Sequence, residues 1–253
     1  MKGKKADMDD EVNFGSIKVP KNSKTKLVSD VFSSVAGKYD IMNDLMSFGA
    51  HRLWKKRMCQ ISRLTANDVV LDIACGTGDI AISLLREMKS IKLTCLDENS
   101  KMIALCKERL INQGFISGIS YVTNPMEKAS FQENSFSLAT LSFGFRNFTD
   151  HNKALENIYK LLSPGGRLVI MEFTTPQNSI SKKIFESYTH KIIPRLGKII
   201  AKDDQSYTYL AESISSYYSP EEVSELFYDN KFSNVRHEVL PGDIVTIHIG
   251  FKS

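Results

Sequence analysis

The run Asp72-Ile73-Ala74-Cys75-Gly76-Thr77-Gly78, entered through the apolar Val69-Val70-Leu71, constrains this chain more than any other feature. A short branched apolar run closed by two glycines predicts a buried strand, a sharp turn and the start of a helix. A turn of that kind lets the backbone lie close to a ligand at the helix N-terminus. The third glycine of the dinucleotide fingerprint, counted from Gly78, would fall at Ala81, so a pyrophosphate cradle is disfavoured. Asp97 ends the next apolar run, where a carboxylate can hold the hydroxyls of a ribose. Asp72 supplies a second acid beside the turn. This set suits S-adenosylmethionine (SAM), whose amino acid end carries an ammonium and a carboxylate and whose sulfur is cationic. Gly76, Thr77 and Gly78 would offer amides and a hydroxyl, and Asp79 would cap the following helix. A glycine turn alone is common in α/β proteins; the placement of Asp97 is what favours SAM.

The rest of the chain alternates in type. Strands are predicted at 69–74, 91–97, 119–123, 136–142 and 166–173, with helices at 79–88, 100–113 and 151–162 between them, which calls for a doubly wound parallel sheet. Ser163-Pro164-Gly165-Gly166 should end one helix and open the next strand. Helical sequence is expected over 179–200, with Pro194 kinking or ending its first part. Runs at 232–239 and 244–250 flank Pro241-Gly242-Asp243 and read as an antiparallel hairpin. Residues 1–26 are rich in Lys and Asp and are expected to be a mobile arm. Residues 27–62 carry helical periodicity, Val28, Val31, Phe32 and Val35 recurring, and should form a helical lid. Residues 63–253 would form the catalytic domain, the whole being one domain.

Charge and cysteine usage narrow the partners. A net charge of +4, with 25% of the 253 residues charged, lacks the dense basic stripe of a nucleic-acid binder. Cys59, Cys75, Cys95 and Cys106 have no metal-ligand spacing, so free thiols and no metal are expected. With no apolar stretch long enough to span a bilayer and no signal peptide, a cytoplasmic location is expected. The segment 180–200 mixes Ile184, Phe185, Tyr188 and Ile199 with Lys182, Lys183, Lys191 and Lys198. It would rest on the inner membrane surface, cover the active site or form an oligomer interface. Lys55, Lys56 and Arg57 would face lipid or simply solvent.

Longer motifs add a resemblance. Tyr39-Asp40-Ile41-Met42-Asn43-Asp44-Leu45-Met46-Ser47-Phe48-Gly49, followed by His51-Arg52-Leu53-Trp54, resembles the N-terminal signature of the ubiquinone and menaquinone C-methyltransferases, the UbiE family. Ser142-Phe143-Gly144-Phe145-Arg146-Asn147-Phe148-Thr149-Asp150, the stretch from Leu161 to Phe173, and Ser206 to Ile214 are similar to further motifs of that family. Matching residues run from about Phe14 to Lys252. The resemblance implies a class I SAM-dependent methyltransferase fold, a seven-stranded mostly parallel sheet with an antiparallel last strand. It implies methyl transfer to a ring carbon of a polyprenylated quinol, with a quinone-biosynthesis complex or a homodimer as expected assemblies. It places Arg146, Asn147 and Tyr39 at the substrate and Ser142 at the cofactor. His51 stands as a proton acceptor or a structural partner of Trp54. The family carries Asn-Ala or Asp-Ala ahead of Glu127; here Asn124, Pro125 and Met126 stand there instead, and proline has no amide to offer the adenine. Two other readings compete: a small-molecule O- or N-methyltransferase, and a non-catalytic SAM-binding subunit of a quinone-biosynthesis complex.

Overall fold

The computed structural model describes residues 11–35, 43, 44, 46–201 and 203–253. Seven strands form one sheet: β3 Val69–Ile73, β4 Lys92–Asp97, β5 Ile119–Thr123, β6 Phe136–Ser142, β7 Leu162–Phe173, β8 Ser233–Val239 and β9 Val245–Phe251. Their order is β5-β4-β3-β6-β7-β9-β8. The first five run parallel, and β9 enters antiparallel between β7 and β8. That is the expected doubly wound sheet. The chain order reverses at β3, with β4 on one side and β6 on the other, so ligands are favoured in the crevice beyond their carboxyl ends.

The central parallel strands β3 and β6 are mostly apolar because both faces are covered. Val70 faces a layer built by α2 Ala50–Ser62, α3 Asp79–Glu87 and α4 Ser100–Asn112, where it packs with Met58, Ala81, Leu84 and Leu110. Leu71 and Ile73 face α5 His151–Leu161 and α9 Pro220–Asp229, among Leu155, Ile158 and Phe227. Asp72 shares the face of Val70, which sets its carboxyl beneath the start of α3.

Several boundaries differ from expectation. Residues 11–20, assigned to a mobile arm, pair as an antiparallel hairpin of β1 Glu11–Phe14 and β2 Ile17–Pro20. Phe14 stacks on Tyr209 with ring centroids 4.3 Å apart, and the Ser16 amide donates to Glu212. The first helix, α1 Lys21–Val35, therefore starts inside the assigned arm. It crosses the end of the sheet, with Asn99 Nδ2 donating to the Ser29 carbonyl and to Ser33 Oγ. In α2, Trp54, Met58 and Cys59 join the core of the sheet, so this half of the expected lid is built into the main body. Ser163–Gly166 does not separate α5 from β7 by a loop. The strand begins at Leu162 and bulges, pairing jumping from Phe136↔Leu162 to Leu138↔Arg167. The stretch after Asn178 forms α6 Ser179–Ser187 and then widens into π-type turns at Tyr188–Ile192 and Gly197–Ala201 around α7 Ile193–Leu196. Pro194 sits in the first turn of α7 rather than breaking the segment, because its missing N–H is tolerated there. Then α8 Gln205–Ser215 packs back toward the site.

Candidate active site

The carboxyl ends of β3 and β6 face each other through two tight turns. Ala74 and Phe143, each one residue past its strand, are held in left-handed backbone at φ 49 and φ 56, a strain that L residues carry where the surroundings impose it. A Cβ on Gly144 would meet the Ala74 side chain at 2.6 Å, so the turns close only with glycine there. Gly76 has φ 53 and open space around the position of a Cβ, while Gly78 has φ 87 and is backed by Cys106. One turn residue thus looks onto a cavity and the other onto the core.

A cavity of about 730 Å³ lies above these turns and under α1, lined by Asp97, Asn124, Pro125, Met126, Ser142 and Asn147. A smaller one continues from it past Asp72, Gly76 and Thr77. Asp97 Oδ2 accepts from the Gly76 amide and Oδ1 from the Asn99 amide, each at 2.9 Å, which fixes the carboxylate at the crevice. Two buried oxygens at the crevice lack partners among the described residues: Asp72 Oδ2, whose Oδ1 accepts from Thr140 Oγ1 at 2.8 Å, and Ser142 Oγ. An unpaired buried acceptor is costly, and a ligand that donates hydrogen bonds and carries positive charge removes that cost. The donor set suits a cationic amino acid end at Asp72 and Ser142 and a ribose at Asp97, which is the fit that SAM requires. Burial pushes the carboxyls of Asp72 to about 8, Asp97 to about 6 and Glu98 to about 7, Glu98 being raised further by Asp97 and Glu127. This crowding of acids favours a ligand of net positive charge.

A second cavity, about 1050 Å³ and mostly apolar, opens on the other side of Phe143. Trp54, Phe173, Phe185, Tyr188 and Ile193 line it, with His51, Lys55 and Arg146 among its polar wall residues. Phe143 borders this cavity, the large crevice and the small extension alike. Exposed apolar side chains of the same segments, Phe48, Ile180, Ile184, Ile192 and Ile199, face solvent.

The expected site residues divide between these spaces. Arg146 lies in the wall of the apolar cavity, yet Nη1 donates to Glu172 Oε1 at 2.7 Å and to the Phe143 carbonyl at 2.6 Å. It is one half of a buried ion pair. Asn147 lines the crevice that holds Asp97 rather than the apolar cavity, and its Oδ1 accepts from Tyr209, which lines the apolar one. Tyr39 lies outside the described residues. Asp79 is not the cap of α3; Gly78 occupies that position, and the Asp79 carboxylate bridges Lys55 and Arg109. Thr77 Oγ1 accepts from Arg109 at 2.7 Å, which ties the hydroxyl back to α4.

One feature escaped sequence reasoning. Lys55, expected with Lys56 and Arg57 to face lipid or solvent, is buried beside Asp79 and borders both the apolar cavity and the small extension. Its helical spacing from Met58 and Cys59, which face the core, was the available signal. His51, expected as a proton acceptor or a structural partner of Trp54, is buried with Nε2 2.7 Å from Asp44 Oδ1, Asp44 being held in turn by Arg52, and its Nδ1 has no partner among the described residues.

The comparisons with known proteins agree with this architecture. The chain is 44% identical over 241 residues to the ubiquinone/menaquinone biosynthesis C-methyltransferase UbiE of Francisella tularensis subsp. holarctica, covering 95% of this chain and 96% of the relative. The enzyme of the same name from Pseudoalteromonas translucida is 42% identical over equal shares. A SAM-dependent methyltransferase from Aquifex aeolicus superposes with a TM-score of 0.60 at 16% identity, over 87% of this chain and 98% of that one, which speaks for the fold alone. Residues 19–252 match the ubiE/COQ5 methyltransferase family, and with relatives this similar over nearly its whole length the chain belongs to that family.

Proposed function

We propose that this chain transfers the methyl group of SAM to a ring carbon of a polyprenylated quinol, in ubiquinone biosynthesis, menaquinone biosynthesis or both. The observation that carries the reading is the meeting of an acidic crevice and a large apolar cavity across Phe32 and Phe143, which line both. SAM, bound in the crevice, supplies an electrophilic methyl group. Asp97 holds the ribose hydroxyls, and Asp72 with Ser142 receives the amino acid end. The amide of Met126 or the side chain of Asn124 reads the adenine edge that Pro125 cannot.

The acceptor ring lies in the apolar cavity, where loss of its hydroxyl proton makes the neighbouring carbon nucleophilic. As that carbon takes the methyl group, the carbon–sulfur bond breaks to leave a neutral thioether, and the hydrogen on the same ring carbon then leaves as a proton to restore the aromatic quinol. In this reading His51 takes the hydroxyl proton. The Asp44 carboxylate accepts at Nε2, which keeps the ring proton there and leaves Nδ1 as the acceptor. Arg146, held rigid by Glu172, stabilises charge developing on the quinol oxygen. Asn147, joined to Tyr209, and Tyr39 of the family signature complete the positioning of the two reactants. Holding ring and methyl in line supplies effective molarities on the order of 10⁵ M or more, so much of the rate comes from alignment. The exposed apolar residues of 180–199 rest on the membrane surface, where a polyprenyl tail stays at ~0.8 kcal/mol per buried CH₂.

The test is transfer from methyl-labelled SAM to a polyprenyl methoxybenzoquinol and, separately, to a demethylmenaquinol, each supplied reduced or oxidised. Label should enter the lipid fraction with at least one reduced acceptor and with neither oxidised one. Tight SAM binding without transfer to either quinol would overturn the proposal.

A further inference from the structure

Cys75, Cys95 and Cys106 come from three elements, the turn after β3, the strand β4 and the helix α4, yet their sulfurs all lie within 4.8 Å of one another. Nothing in their sequence spacing announces this. All three are buried, and Cys59, the fourth cysteine, is outside the group. From this convergence we propose that the three thiols form a binding site for one divalent thiophilic cation of the zinc class, set directly behind the glycine turn of the cofactor crevice.

Geometry supports it first. Zinc–sulfur bonds of ~2.3 Å put the sulfurs of a three-thiolate site roughly 4 Å apart, so the observed cluster needs a contraction of under about 1 Å. Ligand chemistry comes second. Among the described residues the group contains sulfur alone, and thiolates select soft or borderline cations over magnesium, calcium or manganese. Three protein ligands leave a fourth position, and Cys75 lines the small extension of the crevice, from which a water reaches the ion.

Charge supplies the third argument. Lys55 and Arg109 both bind the Asp79 carboxylate beside the cluster, while the Asp72 and Asp97 carboxyls act on the cysteines from the crevice side. A divalent ion on three thiolates has a net charge of −1 and a monovalent ion −2, so the divalent ion leaves less charge to bury. On binding, sulfur–metal bonds replace S–H bonds, and the displaced protons leave to solvent without any change of oxidation state. The cluster touches the active site, since a Cβ on Gly78 would meet Cys106 Sγ at 2.7 Å.

The full-length chain, purified under reducing conditions and stripped with a chelator, is titrated with Zn²⁺ against a chromophoric chelator, and with Cd²⁺ to read the sulfur-to-metal charge-transfer absorption. We expect one equivalent per chain, with charge-transfer intensity for three thiolates. Cys95→Ser and Cys106→Ser should each weaken binding by at least 100-fold, while Cys59→Ser leaves it unchanged. Cys95→Ala, and SAM binding by each variant, report whether the fold survives. Failure of the wild type to compete with the chelator overturns the proposal. So does binding that persists in a folded Cys106→Ser variant, or that vanishes with Cys59→Ser.

Discussion

Replacing Asp72 by asparagine tests how the crevice recognises its cofactor. Asp72 is 1% exposed, and burial pushes its carboxyl up to about 8, with the Thr140 hydroxyl pulling the other way. A group with that pKa is ~90% protonated at pH 7. An ammonium brought to Oδ2, the oxygen without a partner, favours the carboxylate, so binding should drive the proton off. With the carboxyl falling below about 5 in the complex, SAM binding at pH 7 releases ~0.9 proton. Ionising Asp72 at pH 7 opposes binding by about 1.4 kcal/mol, and this term makes the affinity rise about tenfold from pH 6 to pH 7. Asp97, pushed up to about 6 by burial, is ~90% ionised at pH 7 and adds only ~0.1 proton there. Calorimetric titration with SAM in buffers of contrasting ionisation enthalpy reads the release directly. The wild type should lose nearly one proton more per SAM than Asp72→Asn, which also binds more weakly; whatever Asp97 and Glu98, the latter pushed up to about 7, release is common to both proteins. A wild-type release near zero, or an equal release in both proteins, would refute the reasoning.

Three further outcomes are expected. The buried Arg146–Glu172 pair is 4% and 2% exposed at its side chains, so Arg146→Met alone, leaving a buried carboxylate, should cost about 3–5 kcal/mol in urea unfolding. Arg146→Met with Glu172→Gln should recover most of that, and a single variant within 1 kcal/mol of wild type would contradict the pairing. At Asp68, burial acts upward but hydrogen bonds from Arg167 and Ser137 outweigh it and hold the carboxyl at about 2. Its folded pKa lies below the unfolded value, so its contribution, about 2 kcal/mol, is present above about pH 4 and lost as pH falls toward 2; Asp68→Asn should flatten that part of the acid-unfolding profile. Finally, Ile180→Glu with Ile184→Glu should reduce co-flotation with anionic lipid vesicles while leaving turnover of a short-chain quinol intact; unchanged flotation would remove the membrane role assigned to this face.

The cofactor half of the site was legible because its signals are local. β3, β4 and β6 are largely buried runs that end at their own turns, and Asp97 follows from the same logic as Gly76. The capping box of α9, Ser219 with Glu222 behind Pro220, was equally readable but passed over. The rest depended on contacts between distant residues. β1 and β2 carry only four residues each, and their anchor is Tyr209 of α8, which no window around Phe14 contains. The partner of Arg146 could not be read locally because Glu172 joins it from the neighbouring strand. The thiols read as isolated because their convergence is made by the sheet, not by spacing.

The most direct test of the central claim is the position of the transferred methyl group. SAM carrying a ¹³C methyl is incubated with the protein and a reduced polyprenyl quinol, and the product is examined by carbon NMR. The account predicts label bonded to a ring carbon beside a hydroxyl, its formation slowed strongly in His51→Gln and in Asp97→Ala. Label on oxygen, or transfer only to soluble acceptors, would contradict it.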